Sequence, residues 1–468
     1  MENLYEKLKQ YSESDYYGFH MPGHKRNEAL FGIGLPYGID ITEITGFDDL
    51  HHAEDIIKRA EERAASLYQA EETHFLVNGS TTGILSAILG VTDRGDRILV
   101  ARNCHKSVYN AIYLNGLQPV YIYPKHEKDL QINGEVLLED VEKALEENPD
   151  IKAVMVVSPT YDGVLSDVEK IAEAVHKRGI PLIVDEAHGA HFGFHPYFPE
   201  NSNVKGADIV IHSVHKTLPA LTQTALIHMN GKIVDRERIR SYLHMLQSSS
   251  PSYVLMASID QCMKMLETEG KELFAIYVQR IEKLRAALKQ LKKLEILETE
   301  NFDRSKFVIS VRKTGMTSSE LAEILLQKYH LQMEMTAGTY VLAMTTVGDT
   351  EEGLERLRTA LFEIDEVCRE YGKAIDKIEN ELPRLSLVYT NEETEKKKRG
   401  NEELLLWKDA VGKISTEYAY VYPPGIPLIV PGEKITQEAA DMLYLYRELG
   451  FSVEGIKVEN YIGVLKNG

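Results

Sequence analysis

The chain has 468 residues, 43% hydrophobic and 27% charged, a composition that suits a globular protein with a large core and two or three domains. Its formal net charge of −19 argues against a nucleic-acid or anionic-membrane partner, since both select basic surface. Cys104, Cys262 and Cys368 are too few and too scattered for a disulfide framework or a four-ligand zinc site. The start carries no apolar signal core, and no run of about 18 apolar residues occurs, so a soluble cytoplasmic protein is expected.

Residues 1–35 read as an N-terminal arm around the turn motif Phe19-His-Met-Pro-Gly-His-Lys25, where His20, His24 and Lys25 are either a solvated turn or an arm reaching an active site. An acid-rich loop, Asp40 to Leu50, precedes a charged helix over roughly 53–68. Thr73-His-Phe-Leu-Val77 reads as a strand that breaks into Asn78-Gly-Ser-Thr-Thr-Gly83 and an apolar helix. The start of that helix offers free N–H groups, a positive dipole end and the hydroxyls of Ser80 and Thr81. This is a phosphate cradle or simply a capped helix. No P-loop spelling occurs.

Further buried strands are expected at 97–101, 119–123 and 153–157, with helices over 138–147 and 167–178 between them. The strand Ile180-Pro-Leu-Ile-Val184 ends in Asp185-Glu-Ala-His188, and Ala207-Asp-Ile-Val-Ile-His212 ends in Ser213-Val-His-Lys216. Strands alternating with helices indicate a mostly parallel, doubly wound α/β sheet, whose ligands bind beyond the carboxyl ends of its strands. His105, Thr160, Asp185, His188, His215 and Lys216 all fall at or just beyond such ends. A strand over 224–229 and a long helix over 258–294, broken near Glu269-Gly270, complete a large domain of residues 36–295. Residues 296–468 read as a smaller α+β domain, with a charge run at 392–403 and a stiff Pro/Gly segment at 422–433.

A lysine at the end of an apolar run is prone to burial, titrates low and forms Schiff bases. Pyridoxal phosphate needs such a lysine, an acid to keep its ring nitrogen protonated and a phosphate site. Lys216, Asp185 and Gly79-Ser80-Thr81 supply the three, and His105 is placed to stack on the ring. Two rivals exist. Asp185-Glu-Ala-His188 spells a helicase box, which fails without a P-loop. His188, His191 and His195 make a candidate divalent-metal loop, which the Lys216 constellation displaces, so no metal is expected.

The residues also carry a resemblance. Phe19 to Lys25, Asn78-Gly-Ser-Thr81, Arg102-Asn-Cys-His-Lys-Ser107, Pro159-Thr-Tyr-Asp-Gly163, Asp185 to His188, Ser213-Val-His-Lys216 and Tyr422-Pro-Pro-Gly-Ile-Pro427 resemble, in order, the motifs of the Orn/Lys/Arg decarboxylases. That family belongs to the fold type I, aspartate-aminotransferase-like enzymes. The resemblance implies Lys216 as the Schiff-base lysine, Asp185 as partner of the pyridinium nitrogen, His105 as the stacking imidazole and His188 close to the ring substituents. Ser80, Thr81, Ser213 and His215 are implied as phosphate ligands, joined by a hydroxyl from Ser248, Ser249 or Ser250 of a second subunit. Glu433 and the 422–427 segment look like the substrate-side wall, and a homodimer with shared active sites is implied.

Long members of the family carry an N-terminal wing domain, whereas this chain starts almost directly at the core, so a dimer rather than a high-order ring is expected. The expected reaction is decarboxylation of a basic amino acid, arginine slightly favoured over lysine or ornithine, to the corresponding amine and carbon dioxide, a step of polyamine biosynthesis. His20, His24, Asp49, Thr160 and Glu433 are substrate-side candidates, and Glu43 and Asp48 compete with Asp49 and Glu433 as anchors for the basic side chain. The alternatives are an aminotransferase or carbon–carbon lyase on the same fold, or a catalytically idle cofactor-binding paralogue.

Overall fold

The computed structural model describes residues 3–14, 21–22, 34–128, 130–369, 381–422, 426–448 and 452–467. The motif from Phe19 to Lys25, apart from Met21 and Pro22, lies outside them, and with it His20 and His24.

The first part of the chain runs α1 (Leu4–Glu13), α2 (Ile56–Tyr68), β1 (Glu72–Leu76), α3 (Gly79–Val91), β2 (Arg97–Ala101), α4 (Lys106–Leu114), β3 (Gln118–Ile122), β4 (His126–Glu127), β5 (Ile132–Asn133), α5 (Leu138–Glu147) and β6 (Ile151–Val157). It continues with α6 (Val168–His176), β7 (Leu182–Asp185), β8 (Ile209–His212), α7 (Val214–Thr217), β9 (Ala225–Met229), α8 (Arg236–Leu246) and α9 (Tyr253–Leu288). The last part comprises β10 (Glu295–Leu297), β11 (Lys306–Ser310), α10 (Ser318–Tyr329), β12 (Met335–Ala337), β13 (Tyr340–Met344), α11 (Glu351–Val367), β14 (Ser386–Leu387) and α12 (Asn391–Lys398). After these come β15 (Glu402–Leu406), β16 (Ala419–Tyr422), β17 (Ile426–Ile429), β18 (Glu433–Lys434), α13 (Gln437–Glu448), β19 (Ser452–Glu454) and β20 (Tyr461–Leu465).

The chain divides into two compact units, residues 1–91, 168–277 and 346–348 in the first and 92–167, 278–345 and 349–468 in the second. The central sheet is mostly parallel, with strands in the order β1-β9-β8-β7 in the first unit and β6-β2-β3 in the second. In the first unit β7 and β8 run parallel, with Asp185 opposite Ile211, while β9 is antiparallel to both β8 and β1. Every residue of β7, β8 and β9 is buried, as unbroken Val/Ile/Leu runs require when both faces of a strand are covered. Helix α3 lies close on this layer because Gly83 has no side chain; a Cβ there would stand 2.7 Å from Leu76 Cδ1. Helix α1 starts with a capping box between Asn3 and Glu6, and its Leu4 and Leu8 are fully buried.

In the second unit β2 pairs in parallel with both β3 and β6. Smaller antiparallel sheets follow, β10-β11-β13-β12 and β17-β16-β19, with the β15-β20 ribbon beside them in sequence. The 392–403 charge run becomes α12, opened by a capping box between Thr390 and Glu393, and then β15. Trp407, Leu428, Ile429, Leu443 and Ile462 form one core of this smaller α+β part.

Helix α9 differs from expectation. It runs unbroken for 36 residues from Tyr253, with no interruption at Glu269-Gly270. One interior glycine costs only about 1 kcal/mol, and ring packing nearby outweighs it: Phe274 lies 5.7 Å from Phe194, and Tyr277 stacks 5.6 Å from Phe198. A Cβ at Gly270 would meet Leu266 atoms at an ordinary 3.7 Å. Gly270→Ala is therefore expected to stabilise the protein by about 0.5–1 kcal/mol, seen as a raised midpoint in chemical denaturation.

A pH dependence follows from β1. His74 Nε2 lies 2.7 Å from Glu72 Oε1, and its Nδ1 lies 3.4 Å from Glu61 Oε2. Burial alone would push His74 down, but the two carboxylates outweigh it and hold the imidazolium up to about 9. The folded value exceeds the unfolded one, so this stabilisation is whole below about pH 6.5 and is lost as pH rises through about 9. It amounts to at most about 3 kcal/mol. Denaturation midpoints should fall over that window, and less steeply in His74→Gln.

Candidate active site

Because β7 and β8 are parallel neighbours, their carboxyl ends deliver Asp185 and the Ser213–Lys216 turn to the same edge of the first unit. Asp185 is 3% exposed, and its Oδ1 accepts the Ala187 N–H at 3.1 Å. Burial pushes its carboxyl up, the Lys216 charge and the Ala187 amide pull it back down, and Glu186 adds to the rise. Lys216 lies in the short helix α7, with Nζ 3.0 Å from His188 Nε2. An ammonium at that distance donates to a neutral imidazole, so the pair can pass one proton between them. Asp185, His188 and Lys216 thus come together within one unit.

Ser213 is fully buried, and its Oγ has no hydrogen-bond partner among the described residues. Such a hydroxyl is costly to leave unmatched, and an anionic oxygen would satisfy it. Burial lowers His215, which in its neutral form donates Nδ1–H to the Thr224 carbonyl at 2.7 Å. Gly79, at φ 77°, turns the chain into α3 and leaves the first N–H groups of that helix beside half-buried Ser80 and exposed Thr81. The acid, the amine and the unmatched hydroxyl fit a phosphorylated pyridine aldehyde such as pyridoxal phosphate.

Two glutamines that the sequence does not single out fix the turn before α3. Gln223 donates from Nε2 to the Val77 carbonyl at 2.6 Å, and Gln247 Oε1 accepts the Val77 N–H at 2.9 Å. Gln223 sits at φ 84°, a left-handed conformation rarely taken by a residue with a side chain. Ser248 N–H donates to Asn78 Oδ1 at 3.3 Å, and Ser249 and Ser250 are exposed. Asp48 and Asp49 serve the backbone: Asp48 accepts N–H groups of Asp49, Glu54, Asp55 and Ile57, and Asp49 accepts that of His51 at 2.8 Å. The three histidines of the rival metal reading each have contacts of their own. His188 meets Lys216, His191 packs edge-on to Phe192 and Phe198, and His195 Nδ1 accepts the Tyr197 N–H.

The remaining candidates belong to the second unit. His105 caps α4, its Nδ1 2.8 Å from Ser107 Oγ. Thr160 Oγ1 accepts the Val164 N–H at 3.0 Å. Glu433, expected at the substrate wall, is instead fully buried, with Oε2 3.1 Å from Arg102 Nη2 and 2.8 Å from the Val430 N–H. Arg102 also donates to the Pro427 carbonyl at 2.6 Å and the Leu428 carbonyl at 3.2 Å. Glu433, a substrate-side candidate in the sequence, is thus the counter-ion of Arg102, which in turn holds the backbone of β17. Glu433→Ala leaves a buried guanidinium uncompensated and should cost about 3–5 kcal/mol in urea unfolding. With Arg102→Met added, the loss should be well below the sum of the two single losses.

Comparison with known proteins adds the lineage. The models of the Orn/Lys/Arg decarboxylase major domain and C-terminal domain match residues 2–315 and 374–454. An arginine decarboxylase of Bacillus subtilis (strain 168) is 34% identical over 466 residues, spanning 97% of this chain and 95% of its own. An uncharacterised protein of the same organism, YaaO, is 35% identical over 472 residues, 97% of this chain and 95% of its own. Among solved structures, the Francisella novicida lysine decarboxylase LdcF shares the fold with a TM-score of 0.83 at 19% identity, over 99% of this chain and 81% of that one. Nearly the whole chain is accounted for by these likenesses, and it belongs to the Orn/Lys/Arg decarboxylase family.

Proposed function

We propose that this chain holds pyridoxal 5′-phosphate and uses it to remove the α-carboxyl group of arginine. The carrying observation is the pairing of Asp185 and Lys216 at adjacent parallel strand ends, with His188 on the lysine amine. Arginine is preferred over lysine because the relatives at 33–34% identity over nearly their full length bear the name arginine decarboxylase, whereas those named for lysine stand at 22–28%.

The bound cofactor supplies an electron sink for the bonding pair left when carbon dioxide departs. Lys216 Nζ is the covalent anchor, and Asp185 holds the proton on the ring nitrogen. His188 takes or returns a proton at Lys216 Nζ. The Ser213 hydroxyl, the N–H groups opening α3 with Ser80 and Thr81, and His215 receive the phosphate. His105 is assigned to the ring face on its motif alone. We also propose a homodimer in which the exposed Ser249 of one copy serves the phosphate of the other.

The protein should be yellow as purified, and Lys216→Ala should lose the cofactor's visible imine absorbance and at least about 10³-fold of its turnover. With arginine, lysine and ornithine offered separately, carbon dioxide should appear fastest from arginine. A keto acid in place of carbon dioxide would mark an aminotransferase, and a coloured but inert protein would mark an idle paralogue.

A further inference from the structure

The sheet face opposite Asp185 carries buried polar groups that this chemistry does not use. Asp185 pairs with Ile211, so the alternation of the pleat puts Glu186 and His212 on the other face. Across β8 and β9, His212 is opposite Leu226, which makes His228 its diagonal neighbour, and His228 is directly opposite Thr73 of β1. Glu186 Oε1 lies 2.8 Å from His212 Nε2, His212 Nδ1 lies 2.9 Å from His228 Nε2, and His228 Nδ1 lies 2.7 Å from Thr73 Oγ1. None of the four is more than 3% exposed. The Tyr68 ring covers both imidazoles at 4.7 and 4.8 Å between centroids. Gly189 makes room for the acid, since a Cβ there would stand 2.6 Å from Glu186 Cγ.

We propose that Glu186, His212, His228 and Thr73 form one proton-holding chain behind the active-site strands, and that Glu186 is a positioning residue that sets the charge felt by Asp185. The use of that charge, to keep the proton on the cofactor ring, rests on the reading of Asp185 given above. The chain geometry does not.

Two arrangements satisfy every contact. With Glu186 ionised, Thr73 donates to His228 Nδ1, His228 Nε2–H donates to His212 Nδ1, and His212 Nε2–H donates to Glu186. One added proton reverses the chain: the Glu186 acid donates to His212 Nε2, His212 Nδ1–H donates to His228 Nε2, and His228 Nδ1–H donates to Thr73 Oγ1. Both imidazoles stay neutral throughout, and only their tautomers change. Burial pushes Glu186 up to about 7, with the Ser202 hydroxyl and N–H, Lys205 and His191 opposing the rise. Burial also holds His212 down to about 3, with His191 adding to the effect, and lowers His228, faced by His212 and His74. Glu186 is thus the group that takes the proton, and it does so near neutral pH.

The test reads the chain's own atoms in the full-length protein, labelled with ¹⁵N-histidine and ¹³C-aspartate. His212 and His228 should carry their proton on Nε2 above neutral pH and on Nδ1 below it. Glu186→Gln, which keeps shape and removes charge, should abolish that switch. It should also lower the Asp185 titration midpoint by roughly 0.5–1 pH unit, because a like charge has gone. His212→Gln should leave Glu186 able to act on Asp185 but disconnect His228 from pH. Tautomers that do not change with pH, or an Asp185 midpoint equal in wild type and Glu186→Gln, would overturn the proposal. A colourless wild-type protein would count against pyridoxal phosphate instead, because neither readout involves the cofactor.

Discussion

The parallel register of β7 and β8 is the constraint on which the site depends. It sets Asp185 beside Ile211 and sends both strands out at the same edge, so an acid and a lysine far apart in sequence share one environment. A slip of one residue would turn Asp185 to the other face and put Glu186 in its place. The slip is resisted on both faces: Val184 and Ile211 are fully buried, and Glu186 on the far side is held by His212 and Ser202. The adjacent Asp185 and Glu186 are therefore two acids with two surroundings.

Much of this was legible because the signals are local and periodic. Apolar β-branched runs ending in polar clusters located β7, β8 and β9, and the Gly/Ser/Thr break located the start of α3. What could not be read depends on tertiary partners. Gln223 has no sequence mark of a left-handed backbone; only the Val77 carbonyl explains why it is held there. Glu433 looked like an acid waiting for a cation, and its cation turned out to be Arg102, distant in sequence. Gly270 suggested a helix break, but the aromatic packing around Phe274 decided otherwise. Histidines 212 and 228 read as ordinary strand residues, since nothing in a single strand announces a cross-strand neighbour.

The buried charges follow one rule in both units. Asp260 loses solvent but gains Arg63 and the Leu4 N–H at 2.8 Å; Arg102 loses solvent but gains Glu433 and two carbonyls. Each is matched within the protein, as buried ions must be. Ser213 Oγ and Thr217 Oγ1, flanking Lys216 in the same turn, are buried without a hydrogen-bond partner among the described residues. Two hydroxyls left unmatched beside a lysine in one turn are groups that an anionic oxygen could satisfy.

The central claim is that Lys216 alone carries the cofactor. Reducing the purified protein with borohydride, digesting it and mapping the modified peptide by mass tests this most directly. The account predicts one pyridoxyl-phosphate adduct per chain, on the peptide containing Ser213 to Lys216. An adduct on any other lysine, or none in a protein that decarboxylates its substrate, would contradict it.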